Sequence, residues 1–164
     1  MKRYAPIIVV ALFLASCNDA GTETSAANFN LKFSYGVGAK NVLNTFDHTY
    51  TKDLVVDSVI TVPFYLPDSQ MQAIRTKMQE IGFFDYPDTF TVATGDTVTM
   101  VVPYSTYIFD VTYNGTHKHL YWSDSMLSLD SAAVKLRDMI RSIQYIIISN
   151  PTYKALPPAL GGYD

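Results

Sequence analysis

Cys17 is the only cysteine of this 164-residue chain, and it closes the tetrapeptide Leu14-Ala15-Ser16-Cys17. Ahead of it stand the cationic start Met1-Lys2-Arg3 and an apolar run from Ala5 to Leu14, interrupted only by Pro6. A basic, then apolar, then small-residue order is the layout of an export signal. The tetrapeptide matches a lipobox, whose chemistry is attachment of a diacylglyceryl group to Sγ, cleavage before the cysteine, and usually acylation of the new amino group. A disulfide within the chain is excluded, because there is no second thiol. A membrane-crossing helix needs about 20 apolar residues, roughly twice the length of this run. The competing reading is a plain secretory signal followed by an unrelated cysteine. Two or three acyl chains, at about 0.8 kcal/mol per buried methylene, make an effectively permanent anchor.

The second group with chemical potential is His117-Lys118-His119. If these residues lie on a strand, both imidazoles face one side. A hairpin turn at Asn114-Gly115 then sets Asp110 across from His119. Two imidazoles and a carboxylate could ligate zinc or a similar ion, with His48 a third ligand only if the fold brings it there. The competing reading is a solvated sheet face carrying a cross-strand His119–Asp110 pair.

The third group is polar. Lys40, Asn41, Asn44, Thr45, Thr51, Lys52 and Asp53 cluster in sequence and could form a ligand or partner surface. Gly36-Val37-Gly38 with Lys40 resembles part of a phosphate-cradling loop, but such loops need a helix start behind them, and here a strand follows. Asp85 and Asp88 flank Tyr86-Pro87 as possible paired acids or as turn residues. No Gly-x-Ser-x-Gly elbow and no His-Glu-x-x-His pair occurs, and no motif implies a cofactor.

The elements that must position these groups follow from hydrophobic period. Phe29, Leu31, Phe33 and Tyr35 alternate with polar residues, which predicts a half-buried strand, with further strands over Asn41–Thr49 and Val59–Leu66. Pro67-Asp68-Ser69 opens a helix striped by Met71, Ile74, Met78 and Ile81, and Gly82 ends it. Thr94-Gly95-Asp96-Thr97 suits a turn. Asn114-Gly115, between two alternating runs, predicts a two-residue hairpin. Its register sets Phe109 opposite Leu120 and Tyr107 opposite Trp122 on one face, with Asp110–His119 and Thr112–His117 on the other. A second helix runs from Asp130 to Ser149 on Ala133, Leu136, Ile140, Ile143 and Ile147, and Asn150-Pro151 stops it. The tail from Leu156 to Tyr163 cannot be helical; it lies extended across the sheet edge or is disordered.

The expected organisation is a signal peptide over residues 1–16, a lipidated cysteine and tether over 17–28, and one α+β domain over 29–164. That domain is a two-layer structure, with a mostly antiparallel sheet of about 4–6 strands carrying two helices on one face. The tether, Asn18 to Asn28, would span roughly 15–20 Å on average. Removing residues 1–16 takes away two of the 12 basic residues and none of the 15 acidic ones, moving the formal charge from −3 to −5. An acid-leaning chain argues against nucleic acid as a partner.

The segments Tyr35-Gly36-Val37-Gly38-Ala39-Lys40-Asn41-Val42-Leu43-Asn44-Thr45-Phe46, Thr51-Lys52-Asp53, Phe83-Phe84-Asp85-Tyr86-Pro87 and Gly161-Gly162-Tyr163 together resemble a group of small bacterial lipoproteins. The resemblance implies one compact domain behind a lipobox, and it carries no activity with it. The sequence thus points to a lipid-anchored envelope protein, on the cell membrane or an outer membrane. Its leading reading is a non-catalytic binding or inhibitor-like module for an envelope protein or small ligand. The alternatives are a metal-assisted enzyme using His117, His119 and Asp110, or a structural envelope component.

Overall fold

A computed structural model of the chain describes residues 28–92 and 99–163. Strand β1 (Phe29–Tyr35) buries Phe29, Leu31, Phe33 and Tyr35 on one face, as their alternation predicts. It is the central strand of a seven-stranded sheet with the order β4-β3-β2-β1-β6-β7-β5. The remaining strands are β2 (Asn41–Asn44), β3 (Thr49–Asp53), β4 (Val59–Pro63), β5 (Thr89–Phe90), β6 (Met100–Tyr113) and β7 (Thr116–Met126). Every pairing is antiparallel except β5 with β7. The molecule is therefore α+β, with a mixed sheet larger than the expected 4–6 strands.

Two strands account for the excess. The run Asn41–Thr49 is not one strand, because Asn44 folds it: its Oδ1 accepts from the amides of Phe46 (3.0 Å) and Asp47 (3.3 Å). With His48 at φ +51°, the chain reverses and continues as β3. The other addition, β5, is two residues long, too short for any period to show. The expected strand over Val59–Leu66 stops at Pro63. The expected turn at Thr94–Thr97 lies outside the described residues.

The β6–β7 hairpin has the expected register, including Tyr107↔Trp122, Phe109↔Leu120, Asp110↔His119 and Thr112↔His117. Asn114 (φ +48°) and Gly115 (φ +81°) make the turn, the left-handed pair that such a hairpin requires.

Helix α1 (Asp68–Glu80) buries Ile74 and Met78, and ends at Gly82 with φ +69°. Helix α2 (Ser131–Ser149) buries Ala133, Leu136, Ile140, Ile143 and Ile147, together with Met139. Asp130 caps it, accepting from the amides of Ala132 and Ala133. Both helices pack against the β1/β6/β7 face, where Phe33, Phe109, Leu120 and Trp122 are fully buried. Each such side chain contributes about 1.5–3 kcal/mol, so this shared layer anchors the fold. Among the described residues, no helix is long and apolar enough to cross a membrane.

Candidate functional site

The most organised polar cluster forms where the C-terminal segment crosses the sheet. After α2, Asn150 leaves helical geometry and its Oδ1 accepts from Thr152 N (2.9 Å), starting the four-residue helix α3 (Pro151–Lys154) with Pro151 in its first turn. This turn brings the Tyr153 ring to 5.6 Å from that of Tyr50. The Lys52 ammonium lies 4.7 Å from the centre of the Tyr153 ring and donates to Pro157 O at 2.7 Å. Leu160 then forms a parallel bridge with Val55, its amide donating to Leu54 O at 3.2 Å. Gly161 takes φ +85°, and a Cβ there would sit 3.2 Å from Val56 Cγ2. The bend delivers Tyr163 to Asp53.

At this terminus Tyr163 Oη donates to Asp53 Oδ2 and accepts from Lys40 Nζ at 2.9 Å. Asp53 Oδ1 accepts from Val55 N at 3.0 Å, and Asp53 N donates to Asn41 Oδ1 at 3.0 Å. Asn41 Nδ2 turns back to Tyr35 O at 3.4 Å. The hydrogen bond from Lys40 to Tyr163 holds the Lys40 ammonium above its ordinary pKa. Asp53 and Lys52 are only 7% and 8% exposed, which is rare for charged side chains unless they are paired. Beside them, the hydroxyls of Tyr35 and Tyr50 share a buried hydrogen bond of 2.6 Å. Burial pushes the Tyr35 hydroxyl up to about 12, and that of Tyr50 up as well.

Four of the seven residues expected as a polar surface, Lys40, Asn41, Lys52 and Asp53, are thus gathered at one place, but their groups are directed at the chain's own backbone and tail. Asn44 and Thr45 lie at the opposite end of β2. Asn44 builds the β2–β3 turn, and the buried Thr45 hydroxyl accepts from Leu31 N (2.9 Å) and donates to Asn30 Oδ1 (3.1 Å). Thr51 meets Thr61 across β3 and β4, hydroxyl to hydroxyl at 2.8 Å. The Gly36–Gly38 segment is a single tight turn, Val37–Ala39, followed by β2, with no helix behind it.

His117, His119 and Asp110 share the exposed sheet face. His119 Nδ1 is hydrogen-bonded to Asp110 Oδ1 at 2.8 Å, and His117 Nε2 stands 4.0 Å from the same oxygen. Lys32 of β1 is Asp110's register partner on the other side. His48 stacks on Tyr65 at 5.0 Å, beyond β1 and β6 from the other two imidazoles. Among the described residues, no three His, Cys, Asp or Glu side chains are grouped so as to hold a metal ion. Lys118 points to the opposite face and bonds Tyr86 O (2.5 Å) and Asp88 Oδ1 (2.7 Å). That bond holds the Asp88 carboxyl below its usual range. Asp85 is separate, lining an open cleft of about 510 Å³ between the first residues of α2 and the Phe83–Asp85 turn. The amides at the head of α2 are already taken by Asp130.

The tail partners, Pro157 and Tyr163, are not readable from local pattern. The available signal is a mismatch: a cation and an acid, Lys52 and Asp53, stand side by side in a strand, where burial of either calls for a partner. The chain matches no family model, no curated protein and no solved structure.

Proposed function

We propose that the chain is a lipid-anchored, non-catalytic binding module of the bacterial cell envelope. The observation that carries this reading is Leu14-Ala15-Ser16-Cys17 behind a basic and apolar leader. Acylation of Sγ supplies the anchor. Eleven small or polar residues, Asn18 to Asn28, then lead to the start of β1. Asn28 O accepts from Asn114 N at 3.1 Å, so the chain enters the fold beside the β6–β7 turn. That end of the sheet stays close to the bilayer, and partners are other envelope proteins or small ligands within that reach. The formal charge of −5 after cleavage suits such partners better than nucleic acid.

The polar cluster itself serves the fold and not a catalytic step. Its lysines and aspartate are engaged by the tail, and no hydroxyl there is paired with a histidine base. Metal-assisted chemistry at Asp110, His117 and His119 is the second reading, favoured by the convergence of both imidazoles on one carboxylate oxygen. Crosslinking in intact envelopes followed by affinity capture tests the first reading. A defined protein partner is expected with the native chain, with loss of capture for Cys17→Ala. Failure to capture any envelope partner or ligand contradicts the binding role.

A further inference from the structure

The outer edge of β4 carries strand-forming groups that the described residues leave unpaired. The β3–β4 ladder sets Lys52 opposite Ile60, Tyr50 opposite Val62 and Thr51 opposite Thr61. Its bonded positions are fixed by Leu54 N donating to Ser58 O (2.8 Å) and Phe64 N donating to His48 O (2.7 Å). In an antiparallel ladder bonded and non-bonded pairs alternate, so Ile60 and Val62 also face β3 with their amides. The 2.8 Å approach of the Thr51 and Thr61 hydroxyls marks the alternate, non-bonded pairs, where side chains lie closest. The N–H and C=O groups of Val59 and Thr61 therefore point away from the sheet. Among the described residues nothing bonds to them.

Natural sheets guard such edges with charges, bulges, very short strands or proline. The other edge strand, β5, is two residues long. β4 is five residues, Val-Ile-Thr-Val-Pro, with no charge and only Pro63 as a guard, at its end. Val59 is 48% exposed. Ile60 and Val62 point to the helix-bearing face, yet they are half-exposed and lie outside the core.

We propose that this edge binds a second copy of the chain, β4 against β4, antiparallel about a two-fold axis through Ile60. The edge is its own complement in that register. Val59 faces Thr61 of the other copy, and the two symmetric pairs exchange four backbone hydrogen bonds, using every free group of both residues. Ile60 meets Ile60 at the axis as a non-bonded pair, with the two side chains at closest approach. Pro63, which has no N–H, falls opposite Asp57, outside the strand. A register centred on Thr61 instead drives the Pro63 ring against Val59 and leaves the Val59 carbonyl unpaired. No like charges oppose each other within the strand, and the joined sheet has fourteen strands.

The test uses the full chain carrying Cys17→Ser, so that an introduced thiol is the only one and the result does not depend on lipidation. Across a non-bonded pair Cα atoms stand near 4.5 Å, within disulfide range. Ile60→Cys is expected to give a disulfide-linked dimer under mild oxidation. Val62→Cys is expected to give none, because the two copies of residue 62 lie about 13 Å apart along the strands. Thr61→Pro, added to Ile60→Cys, removes an outward amide and the hydroxyl contact with Thr51 while leaving the backbone hydrogen bonds to β3 in place, and should abolish trapping. Amide exchange of the unsubstituted chain needs no variant: Val59 and Thr61 should slow as concentration rises, while Ile60 and Val62 stay slow throughout. Absence of the Ile60→Cys dimer, equal trapping at residue 62, or Val59 and Thr61 exchange indifferent to concentration overturns the proposal. Constant protection of those two amides would assign the edge to a segment of the same chain.

Discussion

Tyr163 and Asp53 are 110 positions apart in sequence, and the hydrogen bond between them is the last link of the tail clasp. Tyr163→Phe leaves a buried carboxylate oxygen without that donor, a loss of about 1–3 kcal/mol. Chemical denaturation should show it, with the far-UV spectrum retained. The pH dependence has a definite sign. Lys40 is raised by its bond to Tyr163, so its contribution is complete below the ordinary lysine value and disappears as pH rises through the higher folded one. Burial raises Tyr35 to about 12 from 10.0, so the folded state keeps its proton where the unfolded chain has lost it, and stability falls above pH 10. Asp88 runs the other way. Lowered by Lys118, it contributes fully above the ordinary carboxylate value and is lost as pH falls through its depressed one. A thermal-melt series across pH should therefore decline at both extremes, with Lys118→Met blunting only the acid limb. A chain whose stability rises above pH 10 would contradict the buried tyrosine pair. For His117 and His119, the geometry predicts purified protein without stoichiometric zinc. Bound zinc lost on His117→Ala/His119→Ala would revive the metal reading.

Among the elements, the link from β7 to α2 depends on one residue. Arg137 donates to both oxygens of Asp124 (2.9 and 2.6 Å), to Met126 O (3.1 Å) and to Ser128 O (2.6 Å). Its guanidinium also lies 5.2 Å from the centre of the Trp122 ring. Arg137→Met should cost about 2 kcal/mol, the range for hydrogen bonds to a charged group. It should also speed amide exchange over residues 123–130, and unchanged exchange there would deny Arg137 this role. In the core, Ile143→Ala on the buried stripe of α2 should cost about 2–5 kcal/mol. Those two elements show why parts of the fold were legible in the sequence. The α2 stripe and the β6–β7 register follow from local periods of 3.6 and 2 with an Asn-Gly turn between the strands. The split of Asn41–Thr49 was hidden, because the turn comes from the Asn44 side chain and not from glycine or proline. β5 was hidden because two residues show no period, and its pairing with β7 is non-local.

At the scale of the whole molecule, the two ends of the sequence serve different purposes in this account. At the N-terminal side, the proposed export and anchoring rest on contiguous residue chemistry, Met1-Lys2-Arg3 through Cys17, which needs no fold to be read. At the C-terminal side, the tail crosses the sheet and satisfies Lys40, Lys52 and Asp53, which sequence alone groups as an open surface. The residues could be named because their types are polar and close together. Their partners could not, because those partners lie more than 100 positions away. Intact mass spectrometry of the membrane-extracted protein tests the central claim most directly. The account predicts loss of residues 1–16 and an added acylglyceryl mass on Cys17. An unmodified Cys17, or a chain cleaved elsewhere, would contradict it.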